Sequence, residues 1–306
     1  MMMNKTLLLS LLSLLTVALM GQPSSADFTP AEDQKALLWE ISGNGLETPS
    51  YLYGTIHMID AEDYFLTDAT RRSFESVDHI AFEINMEDMT NLGKLMPLMS
   101  KSFMAGDTTL SDLLSEEEYE MVETHFEGMG LPMMFINRIK PMFLSAMGGG
   151  EDLFSMSPGQ SQVKSYEMEF MKMAKQRGME IAGLETAEFQ MGLFDSIPYA
   201  VQADMLVESI QAGGESSDQQ FADMVELYKA QDIFGMQDLM EEDGSIADYQ
   251  DLLLIRRNRN WIPAMQEMMA EHPTFFAVGA GHLGGQEGVI ALLREAGYTV
   301  EPVLER

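Results

Sequence analysis

The chain has 306 residues, no cysteine, 49 Asp and Glu against 18 Lys and Arg, and a formal charge of −31. So acidic a surface repels phosphates, so neither nucleic acid nor an anionic membrane surface is expected as a partner. The lack of cysteine excludes disulfides, thiolate ligands and a cysteine nucleophile, and the 46% apolar content must hold the fold by packing alone.

The first element is a leader. Lys5 precedes an apolar run over residues 7–20, and Ser24-Ser25-Ala26 offers small residues where a signal peptidase reads. The run is 14 residues long, against the roughly 20 needed to span a bilayer. A secretory signal over residues 1–26 is therefore expected, with 27–306 as a single periplasmic or secreted domain. No later segment is long and apolar enough for a transmembrane helix.

Two strands follow at 37–42 and 51–56, joined through Gly43-Asn44-Gly45, and a third at 79–84. The middle is helical. Ser115-Glu116-Glu117-Glu118 is a capping box ahead of apolar Tyr119, Val122 and Phe126. A helix over 131–147 should bend at Pro141, and Gly148-Gly149-Gly150 with residues 155–161 should break the chain before a helix over 162–177. A fourth strand at 180–184 precedes helices at 201–210, 221–230 and 248–270. A strand at 274–278, a helix at 286–296 and a strand at 298–303 close the chain as a β-helix-β unit. The expected fold is α/β: a mixed central sheet built from N- and C-terminal strands, with large helical insertions. The 29 Met residues, such as Met121, Met133, Met134 and Met171, take helical apolar positions and read as core filler, not as copper ligands.

The chemistry gathers at strand ends. Gly54-Thr55-Ile56-His57 and Gly279-Ala280-Gly281-His282 each place a histidine just past an apolar strand. In an open α/β sheet, side chains at the strand ends converge on one crevice. His79, His125 and His272 sit in solvated or turn positions. Glu83 interrupts one apolar strand and Glu185 ends another, and a buried carboxylate calls for a metal, an arginine or a proton. Arg256-Arg257-Asn258-Arg259-Asn260 is the sharpest basic cluster in the chain, and an arginine beside an asparagine could clamp a carboxylate or hold an oxyanion. Glu167 lies in a helix rich in Glu and Lys, where a solvated face is the simpler reading.

These segments, taken with Leu38-Trp39-Glu40-Ile41, Gly183-Leu184-Glu185-Thr186, Trp261 and Gly297-Tyr298-Thr299-Val300, resemble the TraB/GumN proteins, relatives of the animal Tiki proteases. The likeness runs from about residue 37 to 303 in order and spacing. It implies a metal-dependent, peptidase-like site, with the two Gly-x-x-His motifs on His57 and His282, acids on Glu83 and Glu185, and the helix pair on Arg257 and Asn258. The position of Glu167 is acidic in relatives too, and the resemblance thereby raises this residue above a solvated helix face. The residue before the Arg-Asn pair is usually acidic in the family, and here it is Arg256.

The resulting expectation is a hydrolase of peptides or proteins. His57, Glu83 and His282 would hold a divalent ion (Zn, Mn or Co), Glu185 would act as general base, and Arg257 would stabilise developing charge. Glu83 and Glu185 can exchange roles. The alternative is a non-catalytic protein that binds a peptide or a haem-like porphyrin in the same cleft. A serine esterase is disfavoured by the lack of a Gly-x-Ser-x-Gly elbow.

Overall fold

Gly43, Asn44 and Gly45 all have positive φ, at 77°, 46° and 87°, and this left-handed run turns the first strand back on the second. The computed structural model describes residues 35–88, 91–148, 163–211, 215–242 and 249–305. The expected leader, the expected break except Gly148, and the first residues of the helices expected over 162–177 and 248–270 lie outside them.

The strands are β1 (Leu38–Gly43), β2 (Ser50–Thr55), β3 (Ile59–Asp60), β4 (His79–Ile84), β5 (Val163–Lys164), β6 (Glu180–Glu185), β7 (Thr274–Gly279) and β8 (Tyr298–Pro302). Six of them form one mixed sheet in the order β6-β4-β7-β2-β1-β8. β2, β7, β4 and β6 are successive parallel neighbours, whereas β1 pairs antiparallel with β2 and with β8. Parallel strands covered on both faces read as continuous apolar runs. Phe275, Phe276, Ala277 and Val278 of β7 and Leu52 and Tyr53 of β2 are accordingly all buried. The four parallel strands end on the same edge, and every sequence-predicted site residue lies at or near that edge.

The six main strands fall within a residue or so of expectation. The helices differ more. The capping box is present, with Ser115 and Glu118 bonded reciprocally at the start of α1 (Glu116–Gly128). The bent helix expected over 131–147 is instead two, Met133–Ile136 and Pro141–Gly148. Proline has no N–H for an interior turn and suits the first turn of a new helix. The helix expected from 162 begins later, as α2 (Tyr166–Arg177), because β5 occupies the residues before its cap, Ser165. β5 pairs with β3 in a separate two-stranded sheet. Next come α3 (Ala187–Leu193), which the sequence reading lacked, and α4 (Arg256–Glu271), entered through a π-helical turn at Asp251–Ile255. The last helix begins at Val289, after a loop in which a Cβ on Gly288 would stand 2.0 Å from the Gly284 carbonyl oxygen.

Two apolar clusters hold the molecule. One surrounds the sheet, with Trp39, Phe74, Phe170, Trp261 and Phe275 at its centre. The other lies among the helical insertions, where Val122, Phe126, Ile136, Leu144 and Leu206 meet. Among the described residues no helix is long and apolar enough to cross a membrane.

Candidate active site

The glycines of the two Gly-x-x-His segments explain how the strand ends come so close. A Cβ on Gly54 would stand 3.1 Å from the Cα and Cβ of Ala280 and from Leu283, so the missing side chain lets the second segment pack against the first. A Cβ on Gly279 would stand 3.2 Å from Glu83 Oε1, the atom that accepts the Gly279 N–H at 2.9 Å. Glycine is thus required here by close approach, as its lack of a side chain permits.

Arg257, on the first turn of α4, is the hub. Its Nε and Nη2 donate to Glu185 Oε1 at 2.9 and 2.7 Å, and Nη2 also donates to Glu83 Oε2 at 2.5 Å. Nη1 donates to the Leu253 carbonyl at 2.9 Å and meets His282 Nε2 at 3.2 Å. All five guanidinium N–H groups are therefore in use. The π-helical turn before α4 brings the Leu253 carbonyl within reach of its own helix's arginine, and such turns often mark functional sites. The guanidinium also lies over the Trp261 ring, 4.9 Å from its centroid.

The surrounding shell is buried. Side-chain exposures are 8% for Arg257, 12% for Glu83, 6% for Glu185 and 6% for His282, so charge there must be matched internally. Glu185 Oε2 accepts from Trp261 Nε1 at 3.0 Å, and Glu83 Oε2 accepts from Gln190 of α3 at 3.0 Å. Asn258 Nδ2 donates to the Glu287 carbonyl at 2.8 Å, which leaves its Oδ1 to accept the His282 Nδ1–H at 2.6 Å. Burial pushes the His282 imidazole down to about 4, so it is neutral at pH 7. Burial pushes the Glu83 carboxyl up, but the positive charges of His282, Arg257 and His57 outweigh it and hold the group at about 2. With His282 neutral at pH 7, Arg257 and His57 supply that field.

His57 stands at the rim, its side chain 74% exposed. Its Nδ1 lies 3.0 Å from Glu167 Oε1, and that hydrogen bond raises the imidazole to about 9. Glu167 is therefore not on a solvated helix face: its side chain is 12% exposed and bonded to the site.

The structure thus joins Glu83, Glu185, Arg257, Asn258 and His282 in one bonded cluster, with His57 beside it. Gln190 and Trp261 complete the shell. Gln190 escaped the sequence reading because its helix did; Thr186, which caps that helix one residue after Glu185, was the available signal. His79 and His272 stack on each other at 4.2 Å near the strand starts, away from this edge. A cavity of about 830 Å³ is lined by Phe234, Met240, Leu254, Asn258 and Gly281, among others. It meets the cluster through Asn258.

The donors fit a divalent ion in kind. Both imidazoles are tied back at Nδ1, which leaves Nε2 as the donor face, the arrangement common to metal-binding histidines. As the side chains stand, Arg257 meets His282 Nε2, and among the described residues no three His, Cys, Asp or Glu side chains are placed to hold a metal together.

The chain matches the model of the TraB/PrgY/gumN family over residues 37–302. It is 22% identical to a protein of Danio rerio named Metalloprotease TIKI2, across 88% of this chain and 61% of that protein. It is 24% identical to Metalloprotease TIKI1 of Danio rerio, covering 92% of this chain and 66% of the relative. With the Homo sapiens Metalloprotease TIKI1 the figures are 23%, 92% and 65%. The chain thus spans under two thirds of the length of these relatives. No solved structure matches it.

Proposed function

Because this chain belongs to the TraB/PrgY/gumN family, we propose that its buried cluster hydrolyses amide bonds in a peptide or protein substrate, with a divalent metal ion. The observation that carries this reading is the convergence of Glu83, Glu185, Arg257 and His282 where parallel strands end, the ligand-binding edge of open α/β sheets. The relatives named metalloproteases support it. His57, Glu83 and His282 would hold the ion, a Zn, Mn or Co cation, which would supply Lewis acidity to the scissile carbonyl.

The remaining residues organise this centre. Arg257 bonds two carboxylates side by side, and it has no N–H left over for an oxyanion unless it releases a partner. Glu185 was expected as the general base. Both its oxygens are covered, one by Arg257 and one by Trp261, so the geometry favours it as the anchor of Arg257. Asn258 orients His282 by holding its Nδ1. Residues 1–26 would direct export to the periplasm or beyond, and mass spectrometry should then find Asp27 as the first residue of the mature protein.

The test is cleavage of a peptide library by the purified protein, with and without Mn²⁺, Co²⁺ or Zn²⁺, alongside direct metal analysis. Glu83→Gln should lose metal and cleavage together. Glu185→Gln keeps an acceptor for Arg257 and should lose less than about tenfold in turnover, where a general base would lose about 10²–10⁴. No bound metal and no cleavage under any condition would replace the hydrolase with a non-catalytic peptide- or porphyrin-binding protein.

A further inference from the structure

His57 lies between β2 and β3, and its exposed ring has little packing to fix its orientation. One side chain supplies what packing does not. Glu167, in the first turn of α2, presents Oε1 to His57 Nδ1 at 3.0 Å and to the Thr55 hydroxyl at 2.6 Å. Its Oε2 accepts the Ser165 hydroxyl at 2.8 Å. The carboxylate is thus the common acceptor for three groups, drawn from the end of β2, the following loop and the cap of its own helix. An ionised carboxylate has no proton to give, so the His57 contact requires the proton to be on Nδ1. Nε2 is then the nitrogen left for the site.

The small two-stranded sheet explains how a residue 110 positions away reaches this loop. Ile59 pairs with Lys164 and Asp60 with Val163, so the chain just after His57 is clasped to the chain just before Glu167. Ser165 then caps α2 through its hydroxyl, and Glu167 sits in the first turn, where the helix dipole favours a negative charge. His282 is treated in the same way by a different group: Asn258, oriented by the Glu287 carbonyl, accepts its Nδ1–H.

We propose that Glu167 is the positioning residue of His57: fixed by Thr55 and Ser165 and delivered by the β3–β5 clasp, it sets the Nδ1–H form and aims Nε2 at the centre. The value of that aim for metal binding rests on the reading of the preceding subsection; the tautomer itself does not.

Ring ¹⁵N NMR of the metal-free protein, above the pH at which His57 loses its extra proton, reads the tautomer directly. Wild type should show His57 as Nδ1–H. Glu167→Gln should keep that form, because its amide carbonyl still accepts, whereas Glu167→Ala should shift His57 towards the Nε2–H form of a solvated imidazole. Mn²⁺ titration by calorimetry should show affinity lower by about 10–100-fold in Glu167→Ala, largely recovered in Glu167→Gln. An Nε2–H ring in wild type would overturn the proposal, as would Nδ1–H persisting in Glu167→Ala. If Glu167→Ala does not fold, the wild-type spectrum still decides. A wild-type protein that shows the Nδ1–H ring but takes up none of Mn²⁺, Co²⁺ and Zn²⁺ would uphold the positioning role and sink the metal reading alone.

Discussion

Arg257 shows how far a single residue's part was legible. The sequence marked the basic cluster that holds it, the family resemblance singled out Arg257 with Asn258, and the structure buries both beside Trp261. Glu83 and Glu185 were legible because a carboxylate in an apolar strand is costly unless matched, and His57 and His282 because each follows a glycine at a strand end. What they bond was not legible, since a guanidinium between two carboxylates depends on distances between elements far apart in the chain. That arrangement has a measurable consequence. Removing one member of a buried ion group leaves the others desolvated and unmatched, which costs about 3–5 kcal/mol. Arg257→Met should therefore lower the free energy of unfolding by about that much, because Glu83 and Glu185 would then face each other without a cation. Arg257→Lys should fall between, since an ammonium has three donors and no planar fork with which to meet four partners. Urea unfolding monitored by circular dichroism measures both. A Met variant as stable as wild type would mean that the guanidinium is not what holds the strand ends together.

At the scale of elements, the six strands of the main sheet were legible because each is apolar and bounded by glycine, proline or polar residues. β3 and β5 were not: two residues each are too short for any periodicity, and they are strands only through pairing with each other. The same two-residue clasp brings Glu167 to His57, so the one site acid read as solvated was misplaced for the same reason. Gly183 links the sheet's geometry to the site. It pairs with Phe82 across β4 and β6, and a Cβ there would stand 2.3 Å from the Asn85 nitrogen and 2.8 Å from the Ile84 carbonyl carbon. Both obstacles are backbone, so the strand ends bearing Glu83 and Glu185 would have to part. Gly183→Ala should lower stability by about 1–3 kcal/mol, the usual cost of overpacking. Gly192, within α3, is open where a side chain would go, with nothing within 4 Å of the place a Cβ would take. Gly192→Ala should therefore raise stability by about 0.5–1 kcal/mol through helix propensity alone. Thermal melts of the two variants against wild type check the contrast. Equal effects would mean that the strand ends yield freely.

For the whole molecule the dominant fact is charge. With 49 acidic and 18 basic side chains, at least 31 acids have no cation of their own, and their mutual repulsion opposes the compact state. Exposed pairs such as Lys94–Asp88, Arg256–Asp251 and Arg259–Glu287 offset little of this, because exposed ion pairs contribute only about 0–1 kcal/mol each. Salt acts on the two kinds of charge unequally. Its screening length is about 10 Å at 0.1 M and about 3 Å at 1 M, so it weakens long-range surface repulsion, while the buried Arg257 group is largely shielded from it. The balance therefore favours the folded state as salt rises. The midpoint of thermal unfolding should climb by several degrees between low-salt buffer and about 0.5 M NaCl, with most of the gain reached by about 0.2 M, by which point the screening length has fallen under about 10 Å. KCl should act like NaCl, since the effect is one of ionic strength. A midpoint that falls with added salt would mean that attractive surface pairs outweigh the excess of acid, against the composition. A rise produced by millimolar Mn²⁺ but not by NaCl would instead place the stabilisation at a specific cation site, because only binding to the folded state shifts the midpoint at so low a concentration.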